Sequence, residues 1–476
     1  MDSLLFLCAR RVVAQRPLPA LPADLHPVLF QAAFLDGRPL VLRDLVAAWP
    51  FPVLNFQRLV GRRELLRDHP CKLCVQAVIL AVVAQLRRQL EEPGHDARWV
   101  LGSVGMGDTS VPAVPPSVSV REFQRRASKR HKGRSGAATA AAAPQTPGVD
   151  VHADLFVNGT SYGILRDALQ TGAAGPLRLK CREFQAEELS ASGIVALLES
   201  LDPSFLRRVD LRFNNLGLAG LSVILPHLSR FPELRSLKLQ YSNVDVRRPT
   251  PESAIGIRCL AGQLGMLPSL RELNLGSSRL SGNLRQILCD LQAPLESLEL
   301  AFCSLVPADL AFLSQSFHAP ALKRLDLSGH DFSQGLLEPL RLLLEETSAS
   351  LLHLDLMECR MADSHLDALL PTLRRCSRLR FLGLYGNSLS TAVLKDLLQK
   401  TLELPDLHLV VYPFPVDCYK PEPPPESAWN FEEPVDEELL AAADVEFYQM
   451  LANSGRTDLV WTSNPYGHGT LDFFSL

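Results

Sequence analysis

One short pattern recurs seven times between Leu206 and Leu389, and that recurrence limits the possible folds more than any other feature of the chain. The first copy reads Leu206-x-x-Val209-x-Leu211-x-x-Asn214-x-Leu216. The others start at Leu234, Leu270, Leu295, Leu322, Leu351 and Leu379, at spacings of 28, 36, 25, 27, 29 and 28 residues. Each copy places apolar side chains at positions 1, 4, 6 and 11. Positions 4 and 6 alternate with their neighbours, as in a short strand with one buried face. Position 9 falls where the chain turns off that strand. It is Asn214, Ser242, Ser278, Cys303, His330, Cys359 or Asn387, each able to serve buried backbone groups of the turn. A weaker eighth copy is read at Leu404, Leu407, Leu409, Tyr412 and Phe414.

After each turn comes a helix-like run, such as 218–225 or 366–370. One such unit cannot bury its own apolar edge, so neighbours must stack. The expected fold is therefore α/β: a leucine-rich-repeat solenoid with a curved parallel sheet and outer helices, spanning 149–419, plus an N-terminal helical region. Residues 149–205 are read as its first part, with a strand, a helix near 164–169 and a degenerate repeat around Leu177-Arg178-Leu179. A solenoid end needs a cover over its last core layer. Residues 420–476 are assigned that role, with a proline-rich connector at 421–425, a helix at 437–451 and a tail from Trp461 to Leu476.

Residues 1–90 carry apolar positions at helical spacing, as in Val75, Val78, Ile79, Val82 and Leu86. Residues 91–148 read as a flexible linker, with a basic run at 125–134 followed by alanine-rich sequence. The net charge of −4 does not suggest a nucleic-acid or membrane partner. The apolar start, Leu4-Leu5-Phe6-Leu7-Cys8, fails as a secretion signal because Asp2 precedes it and Arg10-Arg11 interrupts it. The ten cysteines are then expected to be reduced thiols. The expected location is the cytoplasm, with the basic run as a route to the nucleus.

Several short motifs invite chemistry. Gly159-Thr160-Ser161-Tyr162-Gly163 has the form of a nucleophile elbow, but a solenoid supplies neither the doubly wound sheet nor the partner acid and histidine. Cys71-x-x-Cys74 lacks a second ligand pair, so burial is the better expectation and no metal is assigned. No catalytic residue and no cofactor are assigned. Ser3-Leu4-x-x-x-Cys8-x-x-x-Val12 matches the elongin C-binding pattern, since residues four and eight apart form one helical stripe. Further on, Leu21-Pro22-x-x-Leu25-x-x-x-Leu29 matches a looser pattern associated with cullin-2. Pro27 within it should kink the backbone or force a restart. The same stripes also suit an amphipathic helix that merely packs on its own domain.

Beyond these motifs, 21–34 with Leu45-Val46-x-x-Trp49-Pro50-Phe51 resembles the PRAME family signature, as do Val209-Asp210-Leu211-Arg212-Phe213-Asn214 and Leu382-Gly383-Leu384-Tyr385-Gly386-Asn387. The resemblance implies a non-enzymatic substrate-recognition adaptor of a cullin-2–elongin B/C ubiquitin ligase. Elongin C would contact Leu4, Cys8 and Val12. Cullin-2 would contact Leu21, Pro22, Leu25 and Leu29. The substrate protein is not identified. A scaffold or inhibitor without ubiquitin chemistry, and a nuclear co-regulator, are the alternatives.

Positions 3, 5 and 7 of each repeat alternate with the buried 4 and 6, so they should line the concave face and receive the partner. Arg208, Asp210 and Arg212 make a polar first row. Towards the other end Met357, Phe381 and Tyr385 are expected as exposed anchors, with Gly383 leaving room for a partner backbone; the alternative is that 420–476 folds over this end and covers Phe381 and Tyr385. In the eighth copy the row is read as Asp406-His408-Val410.

Overall fold

The structure is a computed structural model. It describes residues 4–19, 22–51, short stretches between 53 and 102 and between 149 and 166, and 177–247, 250–420 and 435–465. Its main element is an eleven-stranded parallel sheet. The strands follow chain order from Leu155–Val157 and Glu183–Ala186, through Arg208–Asp210 and six more repeats, to Leu409–Val411 and Val460–Thr462. Most are three residues long, because only positions 3, 4 and 5 of each repeat are extended before the chain turns away. The register is in phase throughout: Leu325 pairs with Leu354, and Leu354 with Leu382. The inward leucines thus form one column.

Helices cover the other side of that column. Thr391–Thr401 buries Leu394, Leu397, Leu398 and Thr401 on one stripe, and its first turn is capped by Ser390 Oγ, which accepts from Val393 N at 3.3 Å. Asn214, Cys303, Cys359 and Asn387 at the turns bind one repeat to the next. Asn387 Oδ1 accepts from Cys359 N and Met361 N, both at 3.0 Å, while its Nδ2 donates to Leu356 O and Leu384 O at 2.8 Å. Cys303 and Cys359 imitate this with one donor each: the thiols donate to Leu275 O at 3.2 Å and Leu327 O at 3.3 Å. Burial pushes both thiols up to about 12, so they stay protonated donors. His330 bonds within its own repeat instead, with Nδ1 2.7 Å from Leu327 O, and burial lowers its pKa.

Two details differ from the sequence reading. The strand Leu177–Lys180 pairs with Val149–His152 in a separate small sheet, and Glu183–Ala186 takes the place in the solenoid. The eighth repeat is framed three residues later than read, since Leu409 pairs with Phe381 and Val410 with Leu382. Side chains alternate with period two, so this odd shift exchanges the faces. Leu409 and Val411 face the concavity, and Leu407, Val410 and Tyr412 face the core.

Beyond the last repeat, the helix Glu437–Ser454 and the strand Val460–Thr462 close the column. Tyr412, Phe447 and Trp461 pack with ring centroids 5.3–5.9 Å apart, and Tyr412 Oη donates to Asp444 Oδ1 at 2.7 Å. Arg456 fastens the closure to the preceding repeat by donating to Leu402 O, Leu404 O and Leu407 O at 2.7–3.0 Å.

The N-terminal helices Leu4–Val13, His26–Leu35 and Pro39–Ala47 share a second core of Val13, Phe30, Leu42, Val46, Cys74 and Val78. The helix restarts at Pro27: a 3-10 turn, Ala23–Leu25, leads into His26–Leu35 with the proline in its first turn, where no amide is needed. Cys74 is buried; Cys71 and the basic run at 125–134 lie outside the described residues.

Candidate functional site

Among the described residues, three surfaces bear on the expected binding sites. The first is the helix Leu4–Val13. It docks through the buried Ala9 and Val13, with Phe6 and Val12 half-buried beside them. Its other side presents Leu4 at 79% exposure, together with Leu5, Leu7 and Cys8. Val12 is half-buried against the N-terminal core. Leu4 and Cys8 therefore share a solvent-facing stripe, while Val12 lies at its edge. The second motif divides differently. Pro22 is exposed and Leu25 half-buried, and Leu21 lies outside the described residues. Leu29, expected as a contact, is 3% exposed and belongs to the core beside Phe30. On His26–Leu35 the face carrying Leu29, Phe30 and Ala33 packs inward, and four residues beyond Leu25 is already inside.

The second surface is the concave face. Its polar end is self-paired. Asp210 accepts from both Arg212 Nε, at 2.9 Å, and Arg212 N, at 3.1 Å; Arg208 lies 3.5 Å from Glu183. At the centre Asp326 and Asp355 are neighbours in register. Burial raises both carboxyls, Asp355 to about 7. Beside them His353 lies flat on Phe381, ring centroids 4.1 Å apart, and burial holds its pKa well below the ordinary value.

The apolar end corrects an expectation. Phe381 is not an exposed anchor: at 8% exposure it clusters with Leu409 and Val411, with the half-buried Met357, Tyr385 and Val460 around them. Adjacent strands lie about 4.8 Å apart, so a ring in this row is flanked on both sides by neighbouring rows. Gly383 is likewise not a free gap. A Cβ there would meet Asp355 Oδ1 at 2.6 Å and the Met357 methyl at 2.9 Å, so the space is already used for packing. Met357 and Tyr385 remain partly accessible.

The third surface was not singled out from the sequence. Position 8 of every repeat is left-handed: Phe213, Tyr241, Ser277, Phe302, Gly329, Glu358 and Gly386 all have φ between 54° and 75°. Glycine suits such a position, and a bulky residue there costs about 1 kcal/mol or more. Yet Phe213, Tyr241 and Phe302 stand there and are 44–50% exposed. Phe213 and Tyr241 stack, centroids 4.7 Å apart and 15° from parallel, and Phe302 covers Gly329. These rings form an aromatic rim along one edge of the sheet. The signal was available as aromatics two residues after the second inward leucine, but the pattern alone does not reveal the left-handed turn.

Elsewhere, Ser161 closes a turn with Asn158, its amide donating to Asn158 Oδ1 at 3.1 Å. Among the described residues, no group of three or more His, Cys, Asp or Glu side chains is arranged to hold a metal. No described helix is long and apolar enough to cross a membrane.

These features define a leucine-rich-repeat protein with a helical N-terminal unit, and comparison with known proteins agrees. Residues 174–463 match the PRAME C-terminal domain and 6–104 the PRAME N-terminal domain. The chain belongs to the PRAME family. It is 47% identical to leucine-rich repeat-containing protein 14 of Xenopus laevis over 511 residues and 46% identical to that of Homo sapiens over 496, covering the whole of both chains in each case. It is 30% identical to human PRAME family member 12 over 417 residues, 86% of this chain and 82% of the relative. Among solved structures, the leucine-rich repeat-containing protein LegL7 of Legionella pneumophila aligns with 65% of this chain and 91% of its own, at 16% identity and a TM-score of 0.36.

Proposed function

We propose that this protein is the substrate-recognition subunit of a cullin-2–elongin B/C ubiquitin ligase, binding its target protein on the solenoid and contributing no catalytic group of its own. The observation that carries this reading is the stripe of Leu4 and Cys8. A large leucine held almost fully in water at the start of an ordered helix costs solubility and contributes nothing to the core, and a partner pocket for it explains its place. Cys8, one turn on, is small enough to let a partner helix approach. In this reading Pro22 and Leu25 contribute to cullin selection, and Leu29 shapes the unit from inside. The target surface is the aromatic rim of Phe213, Tyr241 and Phe302 together with the accessible concave residues Met357 and Tyr385. The ligase and target surfaces lie on different units, as an adaptor requires. The proposed location is the cytoplasm, with nuclear entry through the basic run.

Recovery of the tagged protein from cells tests this. Elongin B, elongin C and cullin-2 are expected with the wild-type chain and are expected to be lost with Leu4→Ser plus Cys8→Arg. Changing Pro22 and Leu25 to Ala is expected to reduce cullin-2 while leaving elongin C bound. If elongin recovery is the same for wild type and the first double variant, the ligase reading fails, and the protein acts as a stoichiometric binding scaffold or inhibitor.

A further inference from the structure

The residue just before each strand, position 2 of the repeat, lies on the edge of the sheet opposite the aromatic rim. Its carbonyl accepts from the amides of the next row, so these residues form a ladder. Arg207 N donates to Arg182 O at 2.9 Å, Arg235 N to Arg207 O at 2.8 Å and Arg271 N to Arg235 O at 2.8 Å. Four successive rungs are therefore arginine, about 4.8 Å apart. Arg182, Arg207 and Arg235 are exposed and Arg271 is half-buried. Like charges on adjacent strands repel and lower stability. The next two rungs avoid this: they are Glu296 and Lys323, which pair at 2.7 Å. The arginine rungs have little such relief. Arg207 comes no closer than 3.9 Å to Glu233, and Arg271 Nη1 donates to Leu270 O at 2.9 Å. Asp154, in the row before Arg182, is turned to the backbone, where it accepts from Arg182 N and Glu183 N at 3.2 Å and 3.1 Å. Among the described residues, no carboxylate pairs with the Arg182 or Arg235 guanidinium.

We propose that this arginine ladder is the docking site for an acidic segment of the partner protein, an extended stretch whose Asp or Glu side chains lie across the rungs. A guanidinium presents its donors as a planar fork that binds a carboxylate through two parallel hydrogen bonds, so arginine suits this partner better than lysine. The four rungs span about 14 Å, the length of about four extended residues. The repulsion between rungs is a cost to the free protein, and a line of carboxylates removes it on binding. The chain as a whole carries a net charge of −4, so the ladder is a local reversal of sign and not part of a general basic surface. Its narrowness favours a peptide over a nucleic acid. Glu183 follows Arg182 and Glu272 follows Arg271 directly, on the concave side. A phosphodiester backbone, with charge on every unit, would be repelled by these carboxylates, whereas a single acidic strand can keep to the edge. With the aromatic rim on one edge of the sheet and the ladder on the other, a target is held by apolar contact on one side and by charge on the other.

This inference rests on the reading of the solenoid as the target-binding unit, but its test does not involve the ligase. The full-length purified chain is titrated with a fluorescein-labelled peptide of eight glutamates, followed by anisotropy, at about 50 mM and about 300 mM salt, between which the screening of exposed charges changes strongly. Saturable binding is expected at the lower salt, and binding at least tenfold weaker at the higher. Arg182→Glu with Arg235→Glu is expected to weaken binding at least tenfold at the lower salt. Arg378→Glu with Arg380→Glu makes the same charge change at the far end of the same edge and is expected to weaken it less than twofold. If the first variant melts early, Arg182→Gln with Arg235→Gln replaces it; an unchanged or higher melting temperature is expected, because repulsion is relieved, with at least threefold weaker binding. Absence of saturable binding to the wild type overturns the proposal. So does an equal loss in the two charge-reversal variants, because the attraction is then general. Tighter binding of a twelve-nucleotide oligothymidylate through the same arginines would assign the ladder to nucleic acid and overturn it as well. Elongin recovery is expected to be unchanged in all of these variants, so failure of the ligase reading and failure of this one are distinguishable.

Discussion

The helix Leu4–Val13 and the concave row of Phe381, Leu409 and Val411 present the same sequence problem: apolar side chains that belong to no inward pattern. The structure resolves them in opposite ways. On the helix, Leu4 and Cys8 stand in water, because a helix end that packs by one stripe leaves the remaining faces bare. On the strands, the row is almost fully buried, because each residue has a neighbour about 4.8 Å away on either side. Apolar character outside the core pattern therefore means accessibility on the helix and packing on the sheet. A binding surface has to be judged from the neighbours of each residue and not from its hydrophobicity alone.

Substitutions sharpen that contrast. The largest stability loss is expected for Phe381→Ala, which empties a packed site and should cost about 3 kcal/mol or more. Thermal unfolding should show the last repeats melting several degrees earlier; an unchanged melt would mean that the ring is as accessible as Leu4. Leu29→Ala is next, at about 2 kcal/mol or more, since its side chain is enclosed by the N-terminal core. That loss should appear as increased proteolysis of residues 4–51, and a stable variant lacking only cullin-2 would restore Leu29 to the contact surface.

A smaller effect is expected at Asp355, and it has a pH signature. The folded carboxyl titrates near 7 against an ordinary value of 3.8, so between these values the folded chain holds the additional proton. The contribution of this group to stability therefore falls as pH rises through that window. Asp355→Asn keeps an acceptor for Met357 N, 3.1 Å away in the wild type, and removes the charge. It should raise the melting temperature by a few degrees at pH 8 and have little effect at pH 4. An equal gain at both values would indicate that the site is solvated. The smallest stability change, within about 0.5 kcal/mol, is expected for Leu4→Ser with Cys8→Arg, as for other exposed positions. A large loss there would place the stripe in a core and remove the contrast with Phe381.

The seven-copy pattern alone determined the parallel solenoid, the inward column and the turn-binding role of Asn214, Cys303, Cys359 and Asn387. The reason is that each of these depends on spacing along one chain: period two for the strand faces, and about 28 residues for the stacking. Spacing also placed Leu4 and Cys8 on one stripe. Tertiary structure decided what spacing cannot express. The eighth repeat has no clean pattern, so its register came from pairing with Phe381–Gly383, and a shift of three residues turned Leu409 and Val411 into the cavity. Leu29 continued the Pro22–Leu25 pattern but turned inward, because the face it shares with Phe30 meets other helices. The left-handed turns that hold Phe213, Tyr241 and Phe302 outward follow from the tight stacking of consecutive repeats, a constraint between segments far apart in sequence.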